Sequence, residues 1–486
     1  MPIKRICCIG AGYVGGPTCA VIAKKCPDIV VTVTDIMPAK IAEWNSDSLP
    51  IFEPGLEEIV FEIRGNNLFF TTDGPKAIRE ADLIFISVNT PTKAYGAEKG
   101  KAPDLSCVES AARLIGKNAS GATIIVEKST VPVRAAESIA AILSAECRED
   151  GTSFQVLSNP EFLSEGTAIQ DLLSPDRVLI GCESSEAGKL ARKELADIYT
   201  RWVPEERIVT SNIWSSELTK LINNAMLAQK ITCINATSAI CEKTGADVSE
   251  VAKAVGMDQR IGPAFLNCSI GFGGSCFHKD ILSLVYLCKQ LSLDEVADYW
   301  QMIVDLNELQ RRRFCQRIVK SLYGNVAGKK LAIFGFAFKE NTGDTRESSA
   351  IVVCKHLLNE QAQLAIYDPK VRESQIIRDL QSPGCEFNSS SLKIETCPYE
   401  ATKGASAIVI CTEWKAFKNL NYQKLYDSME SGARWIFDGR NILDHQKLME
   451  TGFQVHCVGK ALHLQNGRRS SGLTNGHAFP FHNGDH

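Results

Sequence analysis

The sequence predicts an α/β protein with two Rossmann-like, doubly wound domains joined by a helical connector. Short β-branched runs alternate with helical patterns up to about residue 210, and the same alternation resumes near residue 331. Between these regions, from about residue 214 to 323, strand patterns stop and the apolar residues follow a helical period. We therefore expect domains at 1–212, 213–325 and 326–460.

The strands of both domains are predicted from short runs rich in Val, Ile and Leu. In the first domain these runs lie at 5–9, 30–34, 83–88, 123–127, 154–157 and 178–180. In the second domain they lie at 331–334, 364–367, 407–411 and 435–437. In each domain the first strand ends at a glycine, Gly10 or Gly335, and the second ends at an aspartate, Asp35 or Asp368. This recurrence indicates a degenerate internal repeat.

The composition is that of an ordinary globular protein. Of the 486 residues, 44% are hydrophobic and 23% are charged, and no apolar run approaches the roughly 20 residues that span a bilayer. The net charge is -4, and the one strong basic run, 311–313, lies inside a helical pattern. Such a charge distribution lacks the basic footprint of a nucleic-acid-binding protein. We expect neither a nucleic acid nor a membrane as a partner.

The amino terminus and the cysteines both favour a cytoplasmic protein. Residues 1–12 run straight into a predicted strand and leave no room for a signal peptide. The 18 cysteines are scattered without CxxC pairs, so we expect reduced thiols that are nearly all buried as small apolar side chains.

The tail at 461–486 is rich in Gly, Ser, Asn and His. It has too few large apolar residues to build a core, and we expect it to be disordered. Flexible histidines without neighbouring groups to fix them make poor metal sites, so no metal is expected. The histidines concerned are His463, His477, His482 and His486.

A glycine-rich turn predicts a dinucleotide site. The segment 10–15, GAGYVG, follows a predicted strand and opens a predicted helix, so its glycines allow a tight turn and close approach of a pyrophosphate. Asp35 lies twenty residues beyond Gly15, where a carboxylate accepts hydrogen bonds from a ribose hydroxyl and repels a 2'-phosphate. NAD is therefore favoured over NADP. Two further segments, 88–92 and 127–131, follow strands and should reach the same edge of the sheet.

The stretch 271–280 predicts the reactive group. Three glycines precede Cys276, which opens a predicted helix through Leu291, and we expect the glycines to let a ligand reach the thiol. The helix dipole and Lys279 should lower the pKa of this thiol, although the dipole alone, at roughly 0.3 to 1 kcal/mol, is worth less than one pKa unit. Cys276 therefore needs a further cation or base, for which Asp280 and a lysine are candidates.

Two pairs of polar residues have the four-residue spacing that places both members on one helix face. These pairs are Cys276 with Asp280 and Lys220 with Asn224. The alternatives from sequence alone are a buried unreactive cysteine, a solvated Lys220 and an Asp280 on a helix surface.

Seven motifs in order along the chain add a family resemblance. They are GAGYVGGPTC, SVNTPT, EKSTVPV, SNPEFLSEG, SSELTKLINNA, IGFGGSCFHKD and GFAFKENTGDTRESS. Together they resemble the UDP-glucose 6-dehydrogenase family, within the UDP-glucose/GDP-mannose dehydrogenases, over about residues 3–460 and most of all its animal members. The resemblance implies NAD-dependent, four-electron oxidation of UDP-glucose to UDP-glucuronate, a glycosaminoglycan precursor, through a cysteine thiohemiacetal and thioester.

The resemblance also implies roles for individual residues. Cys276 would be the nucleophile, Lys220 would stabilise oxyanions and Asp280 would assist proton transfer. Thr130 with Glu161 would hold a water, and Asn224 would help to position it. The NAD contacts would be Gly10, Ala11, Gly12, Tyr13, Val14, Gly15, Asp35, Lys40, Val88, Asn89, Thr90, Pro91, Thr92, Ser129, Thr130, Val131, Glu165, Cys276, Lys279 and Arg346.

The implied substrate site draws on all three domains. Its residues would be Glu161, Phe162, Leu163, Ser164, Glu165, Lys220, Asn224, Arg260, Phe265, Leu266, Asn267, Ser269, Phe272, Gly273, Phe338, Lys339 and Arg440. Arg260 would reach into a neighbouring subunit, which implies a homo-oligomer, either a hexamer or a dimer. The sequence departs from the family pattern at Lys40, Met226, Pro263, Asn267 and His278, and these departures affect affinity more than chemistry.

Three other functions compete with this interpretation. The first is a dehydrogenase for another nucleotide sugar, such as a UDP-N-acetylhexosamine or GDP-mannose. The second is a two-electron hydroxyacid dehydrogenase, which needs no nucleophilic cysteine. The third is a catalytically weak paralogue that binds NAD or UDP-sugars and regulates a partner.

Overall fold

Two sheets, one parallel and one mostly parallel, flank a block of long helices in the computed structural model, which describes residues 3–96, 98–146, 152–381, 388–432 and 434–461. This arrangement confirms the predicted α/β class, with two Rossmann-like domains and a helical connector. The tail expected to be disordered, with its histidines, lies outside the described residues from position 462 onward.

Within the described ranges, the first sheet has eight strands and the second has six. The strands of the first sheet are β1 (Arg5–Ile9), β2 (Val30–Thr34), β3 (Leu68–Thr71), β4 (Leu83–Ile86), β5 (Ala122–Glu127), β6 (Ser153–Ser158), β7 (Val178–Cys182) and β8 (Ile208–Asn212). Those of the second are β9 (Lys330–Phe334), β10 (Gln363–Tyr367), β11 (Leu392–Ile394), β12 (Ala407–Ile410), β13 (Trp435–Asp438) and β14 (Gln454–Cys457).

Helices cover both sheets and form the connector. Around the first sheet lie α1 (Gly15–Lys25), α2 (Pro38–Trp44), α3 (Leu56–Ile63), α4 (Gly74–Arg79), α5 (Ser106–Asn118), α6 (Ala135–Glu146), α7 (Ala168–Leu173) and α8 (Glu186–Tyr199). The connector is α9 (Ile213–Thr244), α10 (Val248–Gly256), α11 (Phe277–Gln290) and α12 (Asp294–Ser321). Around the second sheet lie α13 (Ser349–Asn359), α14 (Glu373–Leu380), α15 (Pro398–Thr402), α16 (Lys415–Lys418), α17 (Tyr422–Ser428) and α18 (His445–Thr451).

The two sheets share one strand order. The first six strands of the chain lie as β3-β2-β1-β4-β5-β6, and the second sheet lies as β11-β10-β9-β12-β13-β14. The first sheet then continues with β7, which pairs antiparallel to β6 through Ser158 and Gly181, so that sheet is not parallel throughout as predicted. All other strand pairs are parallel.

The turn after the first strand also recurs between the domains. The N–H of Gly10 donates to the carbonyl of Thr34 at 2.8 Å, and the N–H of Gly335 donates to that of Tyr367 at the same distance. Asp35 and Asp368 then each accept a backbone N–H from the glycine turn. The copies differ after this turn, because α1 begins five residues after Gly10 whereas α13 begins only after the loop 336–348.

Long helices of the connector hold the two domains together. Helix α9 packs on α11 and α12 and also against β7 of the first sheet, while α12 packs against α13 of the second domain. The core of the second domain is continuous with connector residues such as Ile234, Phe314 and Ile318. Within the described ranges, no helix is both long enough and apolar enough to cross a bilayer.

Candidate functional site

The glycine turn between β1 and α1 has the shape of a phosphate cradle. Gly10 has φ +110°, and a Cβ on it would lie 2.3 Å from the carbonyl oxygen of Ser87. A Cβ on Gly15 would lie 2.0 Å from the carbonyl oxygen of Gly10, whereas one on Gly12 would meet no atom within 4 Å. The first and third glycines thus permit close packing, and the second leaves space for a ligand at the amino end of α1.

Asp35 follows β2 and presents an ionised carboxylate beside this turn. It accepts hydrogen bonds from the N–H groups of Ala11 and Met37, both at 3.0 Å, and from Nζ of Lys40 at 2.9 Å. Burial opposes ionisation, but the Lys40 ammonium and the two N–H donors outweigh it and lower the pKa of Asp35. A charged acceptor at this place suits a ribose hydroxyl and repels a 2'-phosphate. The residues present therefore fit NAD.

The two loops predicted to reach the same edge of the sheet are bonded to each other. The hydroxyl of Ser129 donates to the carbonyl of Val88 at 2.7 Å, and that of Thr90 donates to the carbonyl of Thr130 at 2.6 Å. Nζ of Lys279 donates to the Thr90 hydroxyl at 3.1 Å. The start of α11 is thereby joined to both loops.

A small cavity lies where these loops meet α11. Its volume is about 10 Å³, which is about the space that one water molecule needs. Its lining is Thr90, Pro103, Thr130, Val131, Pro132, Leu221, Lys279, Asp280 and Ser283. Thr130 thus shares a water-sized space with Asp280.

Helix α9 supplies two buried polar residues that face the predicted nucleophile. Lys220 lies 3.0 Å from Glu161, and Nδ2 of Asn224 donates to Oδ2 of Asp280 at 2.6 Å. All four residues are less than 8% exposed. The four-residue spacing therefore does place Lys220 and Asn224 on one buried face, and the solvated and surface alternatives for Lys220 and Asp280 are wrong.

The lysine and glutamate of this cluster form a charged pair. Burial opposes charging of both groups, but the Glu161 carboxylate raises the pKa of Lys220, and Lys220 in turn lowers the pKa of Glu161. The second oxygen of Glu161 accepts the N–H of Leu163 at 2.6 Å. Lys220 thus offers a fixed positive charge in a buried site.

Cys276 lies at the N-cap of α11, as its place in the sequence predicted. The expectation of a lowered pKa is wrong for this resting site. Burial, followed by the carboxylates of Asp280 and Glu161, raises the pKa of the Cys276 thiol, and the cations Lys220 and Lys279 offset this only in part. The resting side chain is therefore the thiol, and it needs a base when it reacts.

The glycines before Cys276 serve close packing, which was not the predicted reason for them. A Cβ on Gly273 would lie 2.6 Å from the carbonyl oxygen of Glu347, and one on Gly274 would lie 2.9 Å from the ring of Phe338. A Cβ on Gly271 would lie 2.8 Å from Oδ1 of Asn307. The second domain and α12 thus approach the cysteine loop closely, and the predicted substrate residue Phe338 contacts that loop directly.

Two residues on α12 that the sequence did not reveal hold the same loop. Asn307 accepts the N–H of Phe272 at 2.9 Å and donates to its carbonyl at 3.1 Å. Arg311 donates to the same carbonyl at 2.6 Å and to that of Glu347 at 2.9 Å. In the sequence Arg311 belonged to a basic run, yet it is only 3% exposed. Its four-residue spacing from Asn307 was the available signal.

A carboxylate cluster joins the first and second domains. Asp344 binds Arg346 through two nitrogens, at distances down to 2.6 Å, and Arg346 also lies 3.1 Å from Glu165 and over the ring of Tyr13. Burial, followed by the neighbouring Asp344, raises the pKa of Glu165 to about 8, and the Arg346 guanidinium offsets this only in part. A neutral carboxyl beside the glycine turn does not repel a pyrophosphate.

The other predicted substrate residues divide into two groups. Phe162, Lys339 and Arg440 lie close to the centre: Phe162 contacts Lys220, Lys339 donates to Ser164 at 2.8 Å, and Arg440 donates to the carbonyl of Phe338 at 3.0 Å. Arg260 and Phe265 lie on the surface, with Phe265 41% exposed.

The other predicted substrate residues between Phe265 and Gly273 are mostly turned inward. Leu266 and Ser269 are buried, and the N–H of Ser269 donates to Asn235 at 2.8 Å. Asn267 is exposed. Across the ranges that the structure describes, no group of three or more His, Cys, Asp or Glu side chains is arranged to hold a metal ion.

Comparison with family models gives three matches in chain order. The NAD-binding domain of the UDP-glucose/GDP-mannose dehydrogenase family matches residues 4–203. The central domain of that family matches 214–309, and its UDP-binding domain matches 332–445.

Full-length relatives match at high identity. A UDP-glucose 6-dehydrogenase of Caenorhabditis elegans is 60% identical over 459 residues, covering 94% of this chain and 95% of that protein. One of Drosophila melanogaster is 57% identical and covers 96% of this chain and 99% of its own. A UDP-glucose 6-dehydrogenase 1 of rice is 54% identical, covering 94% and 97%.

Solved structures share the fold at lower identity. A UDP-glucose dehydrogenase from Pyrobaculum islandicum superposes with a TM-score of 0.80 at 28% identity, covering 94% of this chain and 98% of that one. A UDP-D-ManNAc dehydrogenase from Pyrococcus horikoshii gives a TM-score of 0.77 at 26% identity, covering 94% and 100%.

Proposed function

The chain belongs to the UDP-glucose/GDP-mannose dehydrogenase family, and from this premise we propose that it oxidises the C6 alcohol of UDP-glucose to the carboxylate of UDP-glucuronate with NAD. The support from the structure is the buried cluster of Lys220, Glu161, Asn224 and Asp280 around Cys276. The support for glucose as the sugar is identity, since the UDP-glucose 6-dehydrogenases match at 54–60% and the N-acetylmannosamine enzyme at 26%.

NAD would be held by the glycine turn, Asp35 and the loops 88–92 and 129–131. Two NAD molecules would bind there in succession, and each would accept one of the two hydrides that leave C6 during the oxidation. The remaining NAD contacts proposed are Lys40, Glu165, Lys279 and Arg346. The UDP-sugar would lie between 161–165, the cysteine loop and the second-domain residues Phe338, Lys339 and Arg440.

The first oxidation needs a base for the C6 hydroxyl proton and a cation for the oxygen. We assign the cation to Lys220, which is buried and charged. The base would be a water beside Thr130, where a cavity of about 10 Å³ also touches Asp280. Glu161, which the resemblance pairs with Thr130 around this water, does not line the cavity, and we assign it instead a role through Lys220, to which it is paired at 3.0 Å.

The second oxidation passes through Cys276. Its sulfur adds to the aldehyde carbon and forms a C–S bond, while the thiol proton passes to a base. The π electron pair of the carbonyl moves onto its oxygen, which becomes an oxyanion facing Lys220. Loss of the second hydride then leaves a thioester. Water attacks its carbonyl carbon, the C–S bond breaks, and the thiolate leaves and recovers its proton. Asp280 is the proposed carrier of these protons, because its charge acts most strongly among the groups facing the thiol.

Stoichiometry tests this proposal. With limiting UDP-glucose and excess NAD, the protein should release two NADH per sugar, and Cys276→Ser should show no sustained turnover. The exposed Cys107 and Cys233 provide matched controls, since serine at either position should leave the yield at two. One NADH per sugar would overturn the thioester route and favour a two-electron enzyme. Tight binding of NAD and UDP-glucose without release of any NADH would point to a regulatory paralogue. A higher kcat/KM for another nucleotide sugar would show that this sugar, and not UDP-glucose, is the preferred substrate.

We also propose that the enzyme is a homo-oligomer, either a hexamer or a dimer, in which Arg260 reaches a neighbouring subunit. The Arg260 side chain is 89% exposed and is bonded only to Asp258, two residues away, among the described contacts. Apolar residues around it are exposed as well: Met257 at 76% and Ile261 at 44%. Met257→Lys with Ile261→Lys should lower the mass measured by analytical ultracentrifugation, and an unchanged mass would place the interface elsewhere.

We place the enzyme in the cytoplasm and keep the division at 1–212, 213–325 and 326–460. The support for the location is the sequence, whose 18 cysteines are scattered without CxxC pairs. Fractionation of cells that express the natural chain tests the location, and limited proteolysis tests the boundaries.

A further inference from the structure

A second pair of buried carboxyl groups lies outside the reaction site. Glu127 is the last residue of β5 and is 1% exposed, and neither of its carboxyl oxygens has a hydrogen-bond donor among the described residues. Glu217, on α9, is 2% exposed and faces it. Two buried carboxylates that face each other with no hydrogen-bond donor between them raise the free energy of the folded state, unless one of them carries a proton.

Glu217 connects this pair to a loop of the proposed NAD site. Its two carboxyl oxygens accept the N–H groups of Arg134, at 2.7 Å, and Ala136, at 2.9 Å. These donors lie at the start of α6, directly after the loop 129–133, and Arg134 has φ +79°. Both oxygens of Glu217 must therefore point at the loop and remain acceptors for its geometry to persist.

In the part of the chain that the structure describes, no cation is among the groups that act on Glu127. The charged group that acts on Glu127 is Glu217, and the further one that acts on Glu217 is Glu137, whose carboxylate accepts Nε1 of Trp214. Lys128 is adjacent in sequence, but its ammonium donates to Asn159 at 3.0 Å. Burial, and then the neighbouring carboxyl group of Glu217, raise the pKa of Glu127 well above its usual range.

We propose that Glu127 and Glu217 share one proton, donated by Glu127, and that this proton positions the loop 129–134 for the nucleotide. Glu127 and Glu217 are positioning residues, because they act through the loop. At alkaline pH the shared proton leaves to solvent base, the two carboxylates repel each other, and Glu217 draws away from the N–H groups of Arg134 and Ala136. The inference rests on the proposed contact of 129–131 with NAD.

Direct NADH binding against pH tests the shared proton. In the wild type the dissociation constant for NADH, followed by its fluorescence, should rise above neutral pH by up to about tenfold per pH unit, the slope for one linked proton. Glu127→Gln keeps a donor that cannot ionise, so it should match the wild type near neutrality and show a smaller alkaline rise. The part that remains is due to Glu165, whose pKa is about 8. Glu127→Leu removes the donor and should weaken NADH binding at every pH.

The outcomes separate the two proposals. Equal alkaline slopes in the wild type and Glu127→Gln would overturn the shared proton. Absence of NADH binding by the wild type at neutral pH would instead overturn the proposed NAD site. If Glu127→Gln fails to fold, infrared difference spectra of Glu165→Gln between neutral and alkaline pH supply the answer, because this variant lacks the Glu165 carboxyl group, whose pKa is about 8. A lost carboxylic-acid band supports the proton, and no lost band refutes it.

Discussion

Nζ of Lys220 lies 3.0 Å from Oε1 of Glu161, and 4% and 7% of the two side chains are exposed. A buried ion pair of this kind is strongly destabilising when one partner alone is removed, since the other charge is left uncompensated. Lys220→Met should therefore lower the free energy of unfolding by about 3 to 5 kcal/mol, measured by urea denaturation. It should also lower kcat by roughly 10² to 10³, the effect of removing an oxyanion donor.

The matched control for Lys220→Met is the double variant with Glu161→Gln. It removes both charges and should recover much of the lost stability while leaving kcat low. Equal destabilisation of the single and double variants would show that the pair does not act as a coupled buried unit.

Alkylation of Cys276 should reveal its raised pKa. Because burial and the carboxylates of Asp280 and Glu161 raise that pKa, the rate of iodoacetamide labelling should still be climbing above pH 9, the usual thiol value. Asp280→Asn should shift the rate profile to lower pH, since it removes a charge that opposes the thiolate. Mass-spectrometric peptide mapping gives the rate at Cys276, with the exposed Cys107 as internal reference. A profile that levels off near neutrality would contradict the raised pKa.

The choice of NAD over NADP should depend on Asp35 and Lys40 together. Asp35→Asn removes the charge that repels a 2'-phosphate and releases Lys40, which lies 2.9 Å from the carboxylate. Loss of a charged hydrogen bond, worth about 1.5 to 3 kcal/mol, should lower kcat/KM for NAD by at least about tenfold, and NADP should become a measurable substrate. Adding Lys40→Met should abolish the gain with NADP. An unchanged ratio of kcat/KM for NAD to kcat/KM for NADP would show that other residues discriminate between the two cofactors.

The central strands could be predicted from sequence because both of their faces are buried. All ten predicted strands are present, with ends shifted by one or two residues. The four that were missed, β3, β8, β11 and β14, are the edge strands of the two sheets. Edge strands carry exposed residues, such as Phe69 and Val209, so a continuous apolar run does not mark them.

The site could be predicted where one segment carries the signal. The glycine turn, Asp35 and the four-residue spacing from Lys220 to Asn224 are local patterns, and the structure places them as expected. Contacts between distant segments were not predictable, such as Phe338 against Gly274. The prediction of a lowered pKa for Cys276 failed because the helix dipole is a local signal, whereas burial, which raises this pKa most, is a property of the folded chain.

Glu165 should make stability depend on pH. Its pKa is raised to about 8 by burial and Asp344, so the folded chain holds a proton that the unfolded chain releases above about pH 4.3. This contribution is complete below about pH 4.3 and is lost as pH rises toward 8. Glu165→Gln should therefore gain stability relative to the wild type across that window, by more than about 1.4 kcal/mol, and the gain should level off above it.

Urea denaturation at several pH values measures this gain. Glu183→Gln, at an exposed carboxylate, is the matched control for replacing a carboxylate by an amide. A constant difference for Glu165→Gln as well would mean that Glu165 is ionised in the folded chain.

A side chain at Gly274 should lower the free energy of unfolding for two reasons, backbone strain and overpacking, and these two costs can be measured separately. It has φ +87°, and a Cβ would lie 2.9 to 3.1 Å from atoms of the Phe338 ring. Gly245, at the end of α9, has φ +85° but would place a Cβ in open space, so Gly245→Ala measures the backbone cost alone, about 1 kcal/mol. Gly274→Ala should cost a further 1 to 3 kcal/mol or so from overpacking, measured by urea denaturation. Adding Phe338→Leu should recover part of the overpacking cost only, because the backbone conformation is unchanged. No recovery would show that the Phe338 ring moves away from the added methyl group at no cost in stability.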